Sequence, residues 1–247
     1  MKAQSSFQQM GIPGKTIFFT LAWGFLCTVS LAQDTATTAT QPAALEELKG
    51  YGQTFYYSRG HQERAKGIAG FIEGAGRFFQ QEIGFRPKTT LYILAPQDWK
   101  GVAAKPLQEV YGFPHNIDPV RLAIAAEDNE FWRSFIPPVD RLPPSLAAAV
   151  KKAYGKPDGS YSMMPFFDLL ALHEMGHSYT AQAGLKMHRH WMGELFVNIM
   201  LHTYVAEKQP VLLPALETFP AMVVGAGTAG FSFTGLEDFE KLYPTLG

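Results

Sequence analysis

Residues 165–184 read PFFDLLALHEMGHSYTAQAG, and the reading of this stretch governs the rest of the chain. Proline is tolerated in the first turn of a helix, and glycine accepts the left-handed conformation that closes a last turn, so Pro165 and Gly184 punctuate one helix running to about Ala183. His173, Glu174 and His177 interrupt its apolar residues at the middle. Residues four apart on an α-helix are turned by only about 40°, so His173 and His177 point the same way. Their ring nitrogens can meet at one point.

Two imidazoles at that spacing suit a single zinc ion, and Glu174 lies beside them, placed to act on a water at the metal without being a ligand. A chain with this content of histidine and glutamate is expected to carry His-Glu-x-x-His by chance about 0.01 times. The bland alternative is two histidines on an ordinary helix. It is disfavoured because a buried helix rarely carries such polar groups unless they find partners. Catalytic zinc takes three protein ligands and keeps a fourth position for water, so a third ligand is required. After Gly184 comes a short connection, LKMHRHW, and then a helical segment in which Glu194 and Asn198 stand four apart and share a face. Leu195, Phe196 and Ile199 mark that helix as largely buried, where an unpaired carboxylate is costly. Glu194 and, in the connecting loop, His188 and His190 are the candidates for that third ligand.

At this point the chain resembles the gluzincins, the thermolysin-like zinc peptidases, over about residues 165–204. The resemblance implies His173, His177 and Glu194 as ligands of one zinc, Glu174 as general base, and Asn198 supporting His173 where the family often has aspartate. An amide can orient a ligand histidine but brings no negative charge. Thr180 and Ala183 stand where the metzincin pattern needs glycine and histidine, which excludes that family. The implied activity is hydrolysis of a peptide or protein by a metal-activated water. A transition-state donor is not identified; Tyr204, His202 and Tyr243 are its candidates. The alternatives are a zinc-bearing peptide-binding module without turnover and a peptidase lacking a C-terminal lobe, since LEDFEKLY (236–243) can lead into more protein.

Working outward, QTFYYS (53–58) and TTLYIL (89–94) are β-branched or aromatic runs that predict strands, and a third strand is expected at RLAIAA (121–126). Ala65, Ile68, Ile72, Ala75, Phe79 and Ile83, widened by Phe71 and Phe78, form a helical stripe between the first two. Strands first and helices only afterwards predict an α+β, zincin-like architecture. A sheet lobe of about 45–160 is followed by a helical lobe of about 161–247. The family resemblance further implies substrate addition to an edge strand, for which 121–126 is the candidate. It also gives Asp128 a faint likeness to an exopeptidase-binding acid; a solvated turn is the favoured reading there. Residues 223–230, VVGAGTAG, match the Gly-x-Gly-x-x-Gly dinucleotide fingerprint, but no helix start follows, so they read as a flexible loop.

The composition, 47% hydrophobic and 17% charged, is that of a globular protein. Lys2 and Lys15, the apolar run Thr16–Ala32 and the small residues Ser30 and Ala32 compose a cleavable export signal over 1–32. An uncleaved anchor at 16–32 is the alternative. QDTATTATQ opens a flexible linker over 33–44. Cleavage removes two lysines and no acid, so the formal charge of −1 becomes more negative, and nothing in it draws the chain to nucleic acid or to anionic lipid. The single cysteine, Cys27, leaves with the signal, which excludes disulfides, thiolate ligands and cysteine nucleophiles from the mature chain. The exported protein is expected to begin at or near Gln33, as N-terminal sequencing will show. Intact residues 1–32 on membrane-bound protein would contradict it.

Overall fold

The computed structural model describes residues 45–229 and 234–242. The signal and linker segments, Gly230 of the glycine-rich stretch and Tyr243 lie outside the described residues. The chain is α+β: a small mixed sheet comes first and a helical part follows.

The sheet has five strands, β1 (Leu45–Leu48), β2 (Thr54–Ser58), β3 (Thr90–Leu94), β4 (His115–Asn116) and β5 (Arg121–Ala125), in the order β1-β2-β3-β5-β4. The central pairs β2–β3 and β3–β5 are parallel, whereas β1 and β4 close the two edges antiparallel. A parallel pair needs a crossover, and α1 (Gln62–Ile83) supplies it between β2 and β3. The predicted stripe of α1 is buried from Ala65 to Phe79, while Ile83 at the helix end is exposed. Central strands buried on both faces read as continuous apolar runs, which is why Leu122, Ala123, Ile124 and Ala125 of β5 are all inaccessible. The expectation that 121–126 is the edge strand is corrected. Two-residue β4 pairs outside β5, with His115 opposite Ala123 and Asn116 opposite Leu122.

Short helices α2 (Pro96–Val102) and α3 (Glu130–Arg133) follow β3 and β5, and α4 (Pro144–Tyr154) leads to the helical part. There α5 (Met164–Gln182), α6 (His190–Lys208), α7 (Leu213–Ala226) and α8 (Leu236–Leu242) succeed one another. Helix α5 is buried on nearly every side, as a helix apolar all round should be. Gly184 ends it at φ +69, with Leu185 N–H returning to the Thr180 carbonyl at 2.9 Å. Arg64 of α1 fixes α5 against the sheet: its guanidinium grips Asp168 of α5 at 2.5 and 2.8 Å and donates to the Ala125 carbonyl at 3.0 Å. Residues 223–226, read as loop from sequence, are the last turn of α7, so Gly225 is helical and not in a strand-to-helix turn. The helix runs on to Gly227, which ends it at φ +69. Among the described residues no helix is long and apolar enough to cross a membrane.

The edge strand is held in place by a neutral histidine. His115 is buried; its Nδ1–H donates to the Phe113 carbonyl at 2.7 Å and its Nε2 accepts the Ala104 N–H at 3.0 Å. Burial pushes its pKa down to about 4, against a smaller upward pull from the Phe113 carbonyl. A histidine depressed in the folded state stabilises fully above its unfolded pKa near 6.5 and loses that contribution as pH falls towards 4. The loss is on the order of 3 kcal/mol across the window. Denaturant titrations at pH 7 and pH 5 should therefore show a larger acid loss for the parent than for His115→Gln.

Candidate metal centre

Helices α5 and α6 are pressed together at Gly176. A Cβ on Gly176 would stand 2.8 Å from both Cβ and Cγ1 of Val197, so the middle of His-Glu-Met-Gly-His is where the second helix comes closest. The buried seam of α6 runs through Val197, Leu201 and Val205, with Glu194 and Asn198 on the same side facing α5. Leu195 and Ile199, taken from sequence as signs of burial, are about half exposed at 51% and 54%. They sit one residue out of register with the seam, about 100° around the helix.

The seam brings three predicted residues together. His173 Nε2 and His177 Nε2 are 3.3 Å apart, and the Glu194 carboxylate lies 3.4 Å from the first and 3.6 Å from the second. Among the described residues, His173, His177 and Glu194 form the one group of histidine, cysteine or acidic side chains that could hold a metal ion. His188 is exposed in the connecting loop and His190 opens α6; neither joins the group.

Asn198 meets His173 from behind, with its Oδ1 3.1 Å from His173 Nδ1. Its own Nδ2 donates to the Glu194 carbonyl at 2.8 Å, which fixes the amide so that oxygen faces the imidazole. Nδ1 of His173 is thereby committed to Asn198, and Nε2 is the ring nitrogen that faces His177 and Glu194.

Glu174 is buried, and one of its carboxylate oxygens has no partner. Burial pushes its pKa up to about 8, the Glu194 charge adds to that, and His173 together with the Asn116 N–H pulls the other way. His177 is pushed down to about 4 by burial and by His173 beside it. For His173 burial acts downward, but the Glu194 hydrogen bond and the charges of Glu174 and Glu194 outweigh it, and the net direction is up. Every one of these shifts records an ionisable group removed from water with mainly its neighbours for company.

Asn116 was not foreseen from the sequence. Its backbone N–H bonds to Glu174, and its side-chain amide donates to Ser178 Oγ at 3.2 Å, so β4 docks on the metal-motif helix. No periodicity marks a two-residue strand. Two predicted residues fall elsewhere. Tyr204 is packed between Phe71 and Phe78 of α1, which removes it as a donor at this site. Asp128 lies between Arg133 at 3.2 Å and Lys156 at 3.1 Å, in the turn after β5.

Beside His173, Glu194 and Asn198 opens a cavity of about 550 Å³, walled mainly by apolar side chains of α5, α6, α7 and α8. Helix α8 is tied to its rim by the Trp191 N–H, which donates to Glu240 at 3.2 Å. No protein family, curated protein or solved structure matches the chain.

Filling the contact at Gly176 tests the seam. Gly176→Ala should overpack α5 against Val197 and cost about 1–3 kcal/mol of stability in denaturant titration. Metal affinity should fall with it, because the same contact sets the gap between His177 and Glu194.

Proposed function

We propose that this chain is an exported zinc-dependent peptidase of the gluzincin kind, with a zincin-like fold. The observation that carries the reading is the convergence of two imidazole nitrogens and a carboxylate, 3.3 to 3.6 Å apart, next to a buried glutamate with an unpartnered oxygen. Bonds of about 2.0–2.1 Å at tetrahedral angles put ligand atoms about 3.3 Å apart, so the donor set and its spacing fit zinc. Two nitrogens and one oxygen from the protein also match the ligand number that leaves a position open.

His173, His177 and Glu194 would hold the ion. Zinc bound there supplies a Lewis acid for the scissile carbonyl and makes a water acidic enough to give up a proton near neutral pH. Once a bound cation offset the burial that holds it protonated, Glu174 would take that proton on its free oxygen and return it to the leaving amine, as a general base and then a general acid. Asn116 orients Glu174 through its N–H, and Asn198 keeps His173 in the tautomer that presents Nε2. Burial of His173 and Glu174 strengthens the interactions they make. The competing reading, a zinc-bearing module without turnover, draws on one observation. Tyr204 is sequestered, and His202 stands eight residues beyond Glu194 on α6, about 12 Å along the axis, so neither reaches a reacting carbonyl.

The expected stoichiometry is about one zinc per purified chain, severely weakened by alanine at His173, His177 or Glu194. Glu174→Gln keeps the volume and the metal but removes the base. Turnover on a mixed peptide library should fall at least about 10²–10⁴-fold with zinc content unchanged. Equal cleavage by parent and variant sinks the mechanism, and a zinc-loaded parent that cleaves no peptide favours the module.

A further inference from the structure

The cavity beside the metal group has two polar ends and apolar walls. Glu194, Asn198 and His202 follow one another at steps of four along α6, and all three line it. Eight residues at 1.5 Å set the first and last about 12 Å apart along the axis. Between them the walls are Leu170 of α5, Leu201 of α6, and Leu216 and Pro220 of α7. At the far end His202 Nε2 meets Glu217 Oε1 at 2.9 Å, with both side chains more than half exposed.

An apolar occupant that filled this space would strip water from the His202–Glu217 pair and offer it nothing in return. A side chain that ended in a cation would replace that water. We propose that the cavity receives a long substrate side chain with an aliphatic stem and a cationic tip, a lysine or arginine beside the scissile bond, and that Glu217 takes the tip. The proposal rests on the peptidase reading, since it places the scissile carbonyl at His173, His177 and Glu194. From there the remaining span suits such a chain: the five bonds from a lysine Cα to its nitrogen, about 1.5 Å each in zigzag, reach about 6 Å. Leu170, Leu201 and Leu216 cover the methylenes while the charged head stays at the wet end, the arrangement long basic side chains adopt on apolar surfaces. An incoming ammonium or guanidinium displaces His202 from Glu217, and a guanidinium can engage the carboxylate with two parallel hydrogen bonds.

Exposure limits what Glu217 can contribute. An ion pair this open to solvent is worth about a two- to fivefold preference, while an absent stem costs tenfold or more. The test is equilibrium binding to zinc-loaded Glu174→Gln protein, which separates recognition from turnover. Probes are peptides identical except for lysine, norleucine, glutamate or alanine at each position flanking the scissile bond in turn. Lysine should bind about two- to fivefold tighter than norleucine, glutamate should bind weaker than norleucine, and alanine should be at least about tenfold weaker than lysine at one of the two positions. Adding Glu217→Gln should bring the ratio of lysine to norleucine to one. Norleucine binding as tightly as lysine at both positions, or a ratio that Glu217→Gln leaves unmoved, overturns the proposal. Such a result alongside peptide cleavage by the parent leaves the peptidase reading standing, whereas absence of both binding and cleavage removes the two together.

Discussion

Four ionisable side chains, His173, Glu174, His177 and Glu194, meet between two helices, the first two buried and the others largely withdrawn from water, and the rest of the molecule is arranged around that constraint. Burying a charge without a partner is prohibitive, and burying a half-satisfied set is worse than an apolar core. The protein meets the cost in three ways. It places the Glu194 carboxylate within 3.4 to 3.6 Å of both imidazoles. It supplies neutral hydrogen-bonding groups, Asn198 and the Asn116 N–H, at the two points where charge would otherwise be unanswered. It also brings the donor atoms close enough for one cation to satisfy them, which no apolar packing would require.

This arrangement depends on α5 being immovable. The helix is apolar on every side, so its tilt and rotation are fixed by packing against β4, β5, α1, α6 and α7 rather than by one seam. Arg64 adds a directional restraint near its start, through Asp168 and the Ala125 carbonyl together. Gly176 sets the separation from α6. The small sheet has a corresponding role: β4 is too short to add much stability, but His115 locks it where Asn116 can reach Glu174 and Ser178. Edge strand and metal-motif helix are thereby one unit.

Much of this was legible because it is local. The helix punctuation at Pro165 and Gly184, the four-residue spacing of His173 and His177, and that of Glu194 and Asn198 are properties of single helices, and period alone reveals them. The three central strands could be read for the same reason, as unbroken apolar runs. What the sequence concealed is pairwise. Whether 121–126 is an edge depends on where residues 115 and 116 fold back, and two residues carry no period. The burial of Leu195 and Ile199 was misjudged because hydrophobicity on α6 is not confined to its buried face; the seam contains Glu194 and Asn198 instead. The turn of α7 at 223–226 was read as loop because glycines suggested it, yet the helix runs on through Gly225, which lies beside Leu146 of α4. The cavity was invisible for the same reason, since its walls come from four helices that no local pattern connects.

The amide at Asn198 follows from the same electrostatics. Glu174 and Glu194 already put two carboxylates into one buried space, and the effect is plain in Glu174, pushed up to about 8. A third carboxylate at 198 would add a negative charge behind His173, raise the cost of ionising Glu174 further and favour a protonated His173, which cannot donate a lone pair. The amide avoids this. Its oxygen accepts a hydrogen bond from His173 Nδ1–H, its nitrogen donates to the Glu194 carbonyl, and it adds no charge. The compensation is that His173 is less basic than a histidine backed by a carboxylate, so any affinity for a cation would come from Glu194 and from how rigidly the three donors are held. That places the demand on the contact at Gly176 and Val197, where an apolar close approach, and not another charge, determines how well the group can bind.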